Sequence, residues 1–136
     1  MNKFLYLLFF PVLVFGQNSL DDVEPLFQKK EFKKAEILVT KYLQSNPNNL
    51  KAVELLGDAY GHQEKWDDAI RNYKKLVEAN DSHANYHYKY AGALGMKALE
   101  NKFKAIGFIG DIKKHFIKAV ELETNHIDAR WALVEL

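Results

Sequence analysis

Two neighbouring segments decide the fold: residues 50–60 read Leu-Lys-Ala-Val-Glu-Leu-Leu-Gly-Asp-Ala-Tyr, and residues 65–77 read Lys-Trp-Asp-Asp-Ala-Ile-Arg-Asn-Tyr-Lys-Lys-Leu-Val. Apolar or small residues recur at positions 52, 53, 56, 59 and 60, and again at 66, 69, 70, 73, 76 and 77. This is the spacing of residues on one face of an α-helix. The pattern predicts two amphipathic helices that are separated by a break near Gly61.

Small and aromatic residues in these segments follow an order that suits two closely packed helices. Gly57 and Ala69 let the helices approach each other, while Tyr60 and Tyr73 fill the space around the contact. This order resembles the tetratricopeptide repeat, a helix-turn-helix unit of 34 residues. The signature positions of that repeat are held here by Val53, Leu56, Gly57, Tyr60, Ala69, Tyr73 and Asp81. Only the leading tryptophan and the closing proline of the signature are replaced.

The same period relates the central segments to the residues before them. Phe32 and Trp66 lie 34 residues apart, as do Ala35 and Ala69. The resemblance implies an all-α fold over residues 17–136, a right-handed superhelical solenoid of antiparallel helix hairpins. We expect repeats at residues 17–49, 50–83 and 84–126, followed by a half repeat at residues 127–136.

The third repeat carries an insertion. Tyr73 and Phe116 lie 43 residues apart, which is nine more than one period. The extra residues fall near positions 98–110, a stretch that is too apolar for a flexible loop. We expect it to be largely helical, with a bend at Asn101 or at the glycines in positions 107 and 110. Insertions in solenoids tend to lie where binding happens, but a longer packed hairpin explains this one equally well.

The last segment, Ile127–Leu136, is apolar on two faces. Ile127, Trp131 and Val134 form one apolar stripe of the predicted helix, and the other is formed by Ala129, Ala132, Leu133 and Leu136. A helix that caps a solenoid should present a polar outer face. We therefore expect either that a partner helix follows in a longer protein, or that this end pairs with another molecule.

Residues 1–16 have the layout of a secretory signal peptide. Lys3 precedes an apolar run at residues 4–15, and Gly16 ends the segment. The run contains Pro11 and is shorter than the roughly 20 apolar residues of a membrane-spanning helix. We expect a small exported bacterial protein, periplasmic or secreted, without stable membrane insertion once the leader is removed. An uncleaved membrane anchor is the alternative.

Composition limits the kinds of partner and chemistry. The 19 Lys and Arg residues balance 18 Asp and Glu residues, so the chain lacks the basic surplus of a nucleic-acid-binding protein. It has no cysteine, which excludes disulfides, a thiol nucleophile and lipid attachment at the leader. Serines lack the context of a nucleophile elbow, and no glycine-rich phosphate loop occurs. We expect neither an enzyme nor a cofactor.

The histidines are the only candidate metal ligands with suggestive spacing. His83 and His87 would share one helix face, but no third ligand is placed to complete a tetrahedral site. We therefore expect no metal site, with His83 at a helix start and His87 on the surface. The remaining histidines are expected to be solvated: His62, His115 and His126.

The resemblance also implies where a ligand would bind. In tetratricopeptide proteins the first helices of successive repeats build a concave face. Its residues here would be Lys51, Glu54, Asp58, His62, Asn85, Tyr88, Lys89, Gly92, Asp128, Trp131 and Glu135. Acidic groups interleaved with Tyr88 and Trp131 on this face suit a basic or apolar peptide that uses the aromatic side chains as anchors. Alternatively, Glu54 and Asp58 form a solvated charged face and Trp131 packs in the core.

One subgroup of the family binds the C-terminal carboxylate of chaperone peptides with Lys and Asn, where this chain has Glu54 and Asp58. A ligand that ends in a carboxylate is therefore disfavoured. We expect a non-catalytic scaffold that holds a protein or peptide partner, or a partner helix, in the concave groove. The alternative is a structural oligomer that associates through Ile127–Leu136 and the insertion. Glu54→Lys is expected to leave folding nearly intact.

Overall fold

The computed structural model describes residues 19–136, which form helices and no strand. A 3-10 turn at Leu20–Asp22 leads into α1 (Val23–Gln28), α2 (Phe32–Ser45), α3 (Leu50–His62), α4 (Trp66–Ala79), α5 (Ala84–Glu100), α6 (Lys102–Leu122) and α7 (Ile127–Val134). Each helix packs mainly on its neighbours in sequence. The predicted all-α solenoid of antiparallel hairpins is confirmed. The expected leader, residues 1–16, lies outside the described residues.

The first two hairpins turn in the same way. Lys30 and Glu64, one period apart, each adopt a left-handed backbone with φ of 58°. The next backbone N–H donates across the turn to the carbonyl of Leu26 at 2.8 Å and of Tyr60 at 3.0 Å. This arrangement satisfies carbonyls that the helix end leaves without partners. The third hairpin turns differently, at Asn101, where φ is −147°.

Three apolar clusters follow one another along the stack. The first joins α1, α2 and α3, the second joins α3, α4 and α5, and the third joins α5, α6 and α7. Within the central hairpin, Ala69 is fully buried and a Cβ added at Gly57 would lie 2.6 Å from Cε1 of Tyr73. The predicted close approach of these two helices at small residues is confirmed.

The insertion lengthens the third hairpin. Residues 98–110 are helical except for Asn101, which separates α5 from α6 and confirms one of the two predicted bend positions. Gly107 and Gly110 instead lie inside α6, so a bend at the glycines was wrong. The end of this hairpin exposes large apolar side chains: Leu99, Phe103 and Ile106. None of the described helices has the length and apolar character needed to cross a bilayer.

Candidate functional site

The charged residues predicted for the concave face meet between α3 and α5. The Lys89 ammonium nitrogen lies 2.7 Å from Oε1 of Glu54 and 2.8 and 2.7 Å from the two carboxylate oxygens of Asp58. From α4, the Tyr73 hydroxyl donates a hydrogen bond to Asp58 at 2.7 Å. We call these four residues the Lys89 network. The network links three helices, and within it the Lys89 ammonium group contacts three carboxylate oxygens.

Two further predicted residues adjoin the network on its exposed side. Lys51 lies with its ammonium nitrogen 3.4 Å from Oε2 of Glu54, and the Asn85 side chain donates to Oε1 of Glu54 at 3.4 Å. Only 9% of Glu54 is exposed to solvent. The alternative of a solvated charged face is therefore wrong for Glu54, since burial and three donors hold this carboxylate inside the structure.

Protonation in the Lys89 network follows from its geometry. Burial alone would raise the pKa of Glu54, but the hydrogen bond and charge of Lys89 outweigh it and hold this pKa below its usual value. Burial alone would lower the pKa of Lys89, yet Asp58 and Glu54 raise it above normal. Burial and the Asp58 charge raise the pKa of Tyr73 far above its usual value. The Lys51 ammonium, 3.4 Å from Glu54, adds a second cation, so the charges of the two lysines offset those of Glu54 and Asp58.

The remaining predicted residues lie toward α7. Tyr88 is half-buried, and its ring centroid lies 5.9 Å from that of Phe116 and 4.9 Å from that of His126. Burial, followed by the charge of Asp128, raises the pKa of Tyr88. Trp131 is 63% exposed, so the alternative of a core tryptophan is wrong. Asp128 and Glu135 are also exposed.

His62 takes part in a different set of contacts. Its ring stacks on that of Phe32, with centroids 4.3 Å apart and an interplanar angle of 6°, and it also contacts Phe27 at 5.6 Å. The structure therefore places His62 with α1 and α2 rather than with the Lys89 network. Sequence spacing alone had grouped it with the other concave positions.

Sequence reasoning missed a second polar link, between α2 and the central hairpin. Glu36 lies with Oε2 at 2.8 Å from the Lys65 ammonium and 2.9 Å from the Gln63 amide. Burial would raise the pKa of Glu36, but hydrogen bonds from Lys33, Lys65 and Gln63 lower it to about 2. No local signal predicts this link, because Gln63 and Lys65 lie in the turn between α3 and α4, 27 and 29 residues away from Glu36.

A pair of histidines joins α5 to α6. His87 is 1% exposed, and its Nδ1 lies 2.8 Å from Nδ1 of His115. Its Nε2 donates to the backbone carbonyl of Asp81 at 2.9 Å. The prediction of a surface His87 and a solvated His115 was therefore wrong, since both are packed in the third hairpin. His126 caps α7, accepting a hydrogen bond from the Ala129 backbone, while His83 stands at the start of α5 as predicted.

Because of this pair, the stability of the fold should decrease at mildly acidic pH. Burial, followed by the charges of His87 and Lys114, lowers the pKa of His115, although Asp111 and Asp81 oppose this. The unfolded chain therefore binds the proton more readily than the folded chain does. Stability is fully present above the unfolded pKa of about 6.5 and falls as the pH drops through and below that value. Thermal melts at a series of pH values should show this decline.

Two variants make the test specific. His115→Asn retains a group that can hydrogen-bond to His87 but does not titrate, so its stability should vary less between pH 7.5 and pH 5.5, a range chosen to bracket a histidine pKa of about 6.5. His83→Asn alters an exposed histidine whose ring stacks on Tyr86, and should retain the parent slope. Equal slopes for the parent and His115→Asn would contradict the assignment.

Within residues 19–136, no group of three His, Asp or Glu side chains is arranged to hold a metal ion. Residues 28–112, more than half of the chain, match a family model of tetratricopeptide-repeat type whose description is anaphase-promoting complex, cyclosome, subunit 3. The chain belongs to this tetratricopeptide-repeat family. No curated protein matches the sequence.

Solved tetratricopeptide structures share the fold of this repeat protein. The first such domain of Spaghetti (RPAP3), bound to the HSP90 peptide SRMEEVD, has a TM-score of 0.71 and 20% identity, covering 85% of this chain and 84% of that one. The second domain of human RPAP3, in complex with the HSP70 peptide SGPTIEEVD, has a TM-score of 0.71 and 16% identity, with coverages of 85% and 88%. The Sgt2 domain from Aspergillus fumigatus has a TM-score of 0.72 and 18% identity, with coverages of 88% and 75%. At these identities the likeness concerns the fold.

Proposed function

We propose that this repeat protein is a non-catalytic interaction scaffold that binds an extended peptide, or a partner helix, along the first helices of its repeats. The observation that carries the proposal is the Lys89 network. It joins α3 to α5 and engages Lys89 with carboxylate oxygens, so that this lysine is not free to bind an anionic ligand. The family supports a role in protein binding, while the chemistry of the ligand is inferred from the network and its surroundings.

The network argues against a ligand that ends in a free carboxylate. Two of the similar structures hold peptides that end in Glu-Glu-Val-Asp. In this chain, Lys89 already contacts three carboxylate oxygens, and Glu54 and Asp58 would repel a further anion. We therefore propose that this protein does not bind peptides of that kind.

The exposed side chains of α5 and of the α7 segment favour a basic ligand with aromatic or aliphatic side chains. Tyr88 and Trp131 offer partly and largely exposed rings, and the exposed carboxylates of Asp128 and Glu135 lie in α7 and directly after it. Aromatic rings bind both apolar side chains and cations. A cationic peptide with aromatic residues would satisfy both kinds of group.

Calorimetric titration with two probe peptides tests this proposal. The probes are SRMEEVD and an N-acetylated, C-amidated decapeptide in which Lys and Phe alternate. We expect binding of the basic peptide only, and at least about a tenfold loss of its affinity in Tyr88→Ala, since removing an aromatic anchor costs more than 1 kcal/mol. Ile37→Ala, an exposed apolar change on α2, is the matched control and should bind like the parent. Tighter binding of SRMEEVD would overturn the proposal.

We also propose that the protein acts in a bacterial periplasm or outside the cell. This rests on residues 1–16 alone, which combine a basic start, an apolar run and a small residue before the expected cleavage site. Mass spectrometry of the protein purified from a bacterial envelope fraction tests it. A mature chain that begins at Gln17 is the expected result, and an intact leader in cytoplasmic material would contradict it.

A further inference from the structure

The outer face of α7 is apolar and open. Ile127, Trp131 and Val134 are 66%, 63% and 77% exposed, and together with Arg130 they line a cleft of about 350 Å³. The opposite face of the helix packs into the third cluster through Ala129, which is fully buried. An exposed apolar row that includes a tryptophan and an arginine is typical of protein interfaces.

The apolar row formed by Ile127, Trp131 and Val134 cannot receive a second helix in the way that α3 receives α4. Val134 occupies the position that Gly57 holds in the central repeat, two periods and the nine-residue insertion earlier. At Gly57 even a Cβ atom would come within 2.6 Å of the Tyr73 ring. A valine side chain at the equivalent position would block the same approach. The occupant of this face must therefore cross α7 in a different way.

The charges beside the row have the pattern of a parallel helix pair. With Trp131 as position a of a heptad and with Ile127 and Val134 as positions d, Arg130 falls at g and Glu135 at e. In a parallel two-stranded pair, a residue at g faces the residue at e that lies five positions later on the partner. Arg130 of one helix would then meet Glu135 of the other, and the two-fold axis would form this ion pair twice.

Both charges are available for that contact. Arg130 and Glu135 are exposed, and neither takes part in the ion pairs found among residues 19–136. In an antiparallel pair, g faces g and e faces e, so arginine would meet arginine and glutamate would meet glutamate. The charge pattern therefore favours the parallel arrangement, in which the charges of the two identical helices are complementary.

We infer that α7 is a docking surface for a second copy of this chain, with the two helices parallel about a two-fold axis. Trp131 lies at the centre of the contact, and Arg130 pairs with Glu135 of the partner subunit. In the dimer Trp131 and Glu135 are engaged in the seam, so the proposed peptide binding would then depend on Tyr88 on α5, which is the residue that its test uses. Because the seam is a single heptad long, the dimer should be weak and should weaken further in high salt.

Sedimentation velocity of the purified protein, from micromolar to millimolar concentration, tests the inference. A monomer–dimer equilibrium is expected. Trp131→Glu should abolish it while leaving the helical circular dichroism unchanged, because this side chain is already exposed in the monomer. Ile37→Glu, which places the same charge at another exposed apolar position, should dimerise like the parent.

Charge exchange tests the arrangement of the two helices. Arg130→Glu and Glu135→Arg should each weaken self-association by at least about tenfold, since like charges then face each other. When mixed, these two variants should associate with each other, because every g–e contact becomes complementary again. The double variant should also dimerise.

Three results would overturn the inference. The first is a monomer at every concentration, and the second is a dimer that survives Trp131→Glu. The third is a dimer that Phe103→Ser on the third hairpin dissociates while the α7 variants do not. If a strictly monomeric protein binds the basic peptide, the dimer inference is contradicted and the proposed function is supported. If the protein dimerises but does not bind the peptide, the proposed function is contradicted and the dimer inference is supported.

Discussion

Replacing Gly57 by leucine is expected to destabilise the fold by about 3 kcal/mol, at the upper end of the cost of overpacking. The reason is the contact with α4, where a Cβ atom would lie 2.6, 3.0 and 3.2 Å from three carbons of the Tyr73 ring. Relief requires the ring to move, but its hydroxyl is held by Asp58 at 2.7 Å. Leucine would therefore disturb both the central core cluster and the Lys89 network. Urea denaturation should show a large fall in the midpoint.

A matched pair of alanine variants isolates the contact from helix propensity. Gly57→Ala adds only the clashing Cβ atom and should destabilise the fold. Gly92→Ala makes the same change on α5, where no atom lies within 4 Å of the added carbon. It should stabilise the protein by about 0.5–1 kcal/mol, since alanine favours helix more than glycine does. Equal effects of the two variants would show that the helices do not approach at Gly57.

Replacing Lys89 by methionine is expected to cost about 3 kcal/mol of stability at neutral pH. The variant keeps the length of the side chain but removes the cation from Glu54 and Asp58. The Lys89 and Glu54 side chains are only 21% and 11% exposed, so solvent compensates poorly for the lost charge. Thermal or urea unfolding at neutral pH would measure the loss.

Unfolding measured at acidic pH distinguishes the loss of the Lys89 charge from a loss of side-chain packing. The parent holds the pKa of Glu54 below 4.5, so this residue contributes stability above that pH, and the contribution is lost as the pH falls further. Without Lys89, burial should raise the pKa of Glu54, so the variant should approach the parent in stability as the solution is acidified. The triple variant Lys89→Met, Glu54→Gln, Asp58→Asn should recover most of the loss. A loss that is independent of pH, with no recovery in the triple variant, would indicate packing alone.

The Lys89 network also changes the expectation for Glu54→Lys. The sequence treated Glu54 as an exposed charge whose reversal folding would tolerate. In the structure a lysine at this position would face Lys89 inside a buried pair that measures 2.7 Å from nitrogen to oxygen. We now expect this variant to fold poorly, which makes it unsuitable as a binding-deficient variant. Tyr88→Ala is better suited because the ring of Tyr88 contacts Phe116 and His126 rather than the residues of the network.

The sequence by itself determined the helical segments, their apolar stripes and the position of the insertion. These features depend on short-range periodicity, because residues three and four apart share a helix face whatever that face later contacts. The 34-residue period then placed Gly57 against Tyr73, since an antiparallel hairpin of known register leaves few alternatives. The all-α fold therefore required no tertiary information, whereas the choice between Asn101 and the glycines as the bend was decided by the structure.

Only the tertiary structure decided how the polar groups pair. Lys89 and Asp58 are 31 residues apart, and His87 and His115 are 28 apart. Each pair joins two helices whose relative height and rotation set whether the charged atoms come within about 3 Å of each other. A shift of one residue along either helix would separate them, and helical periodicity tolerates such a shift. The buried histidine pair, the occupied Lys89 and the exposed Trp131 all depend on this final packing.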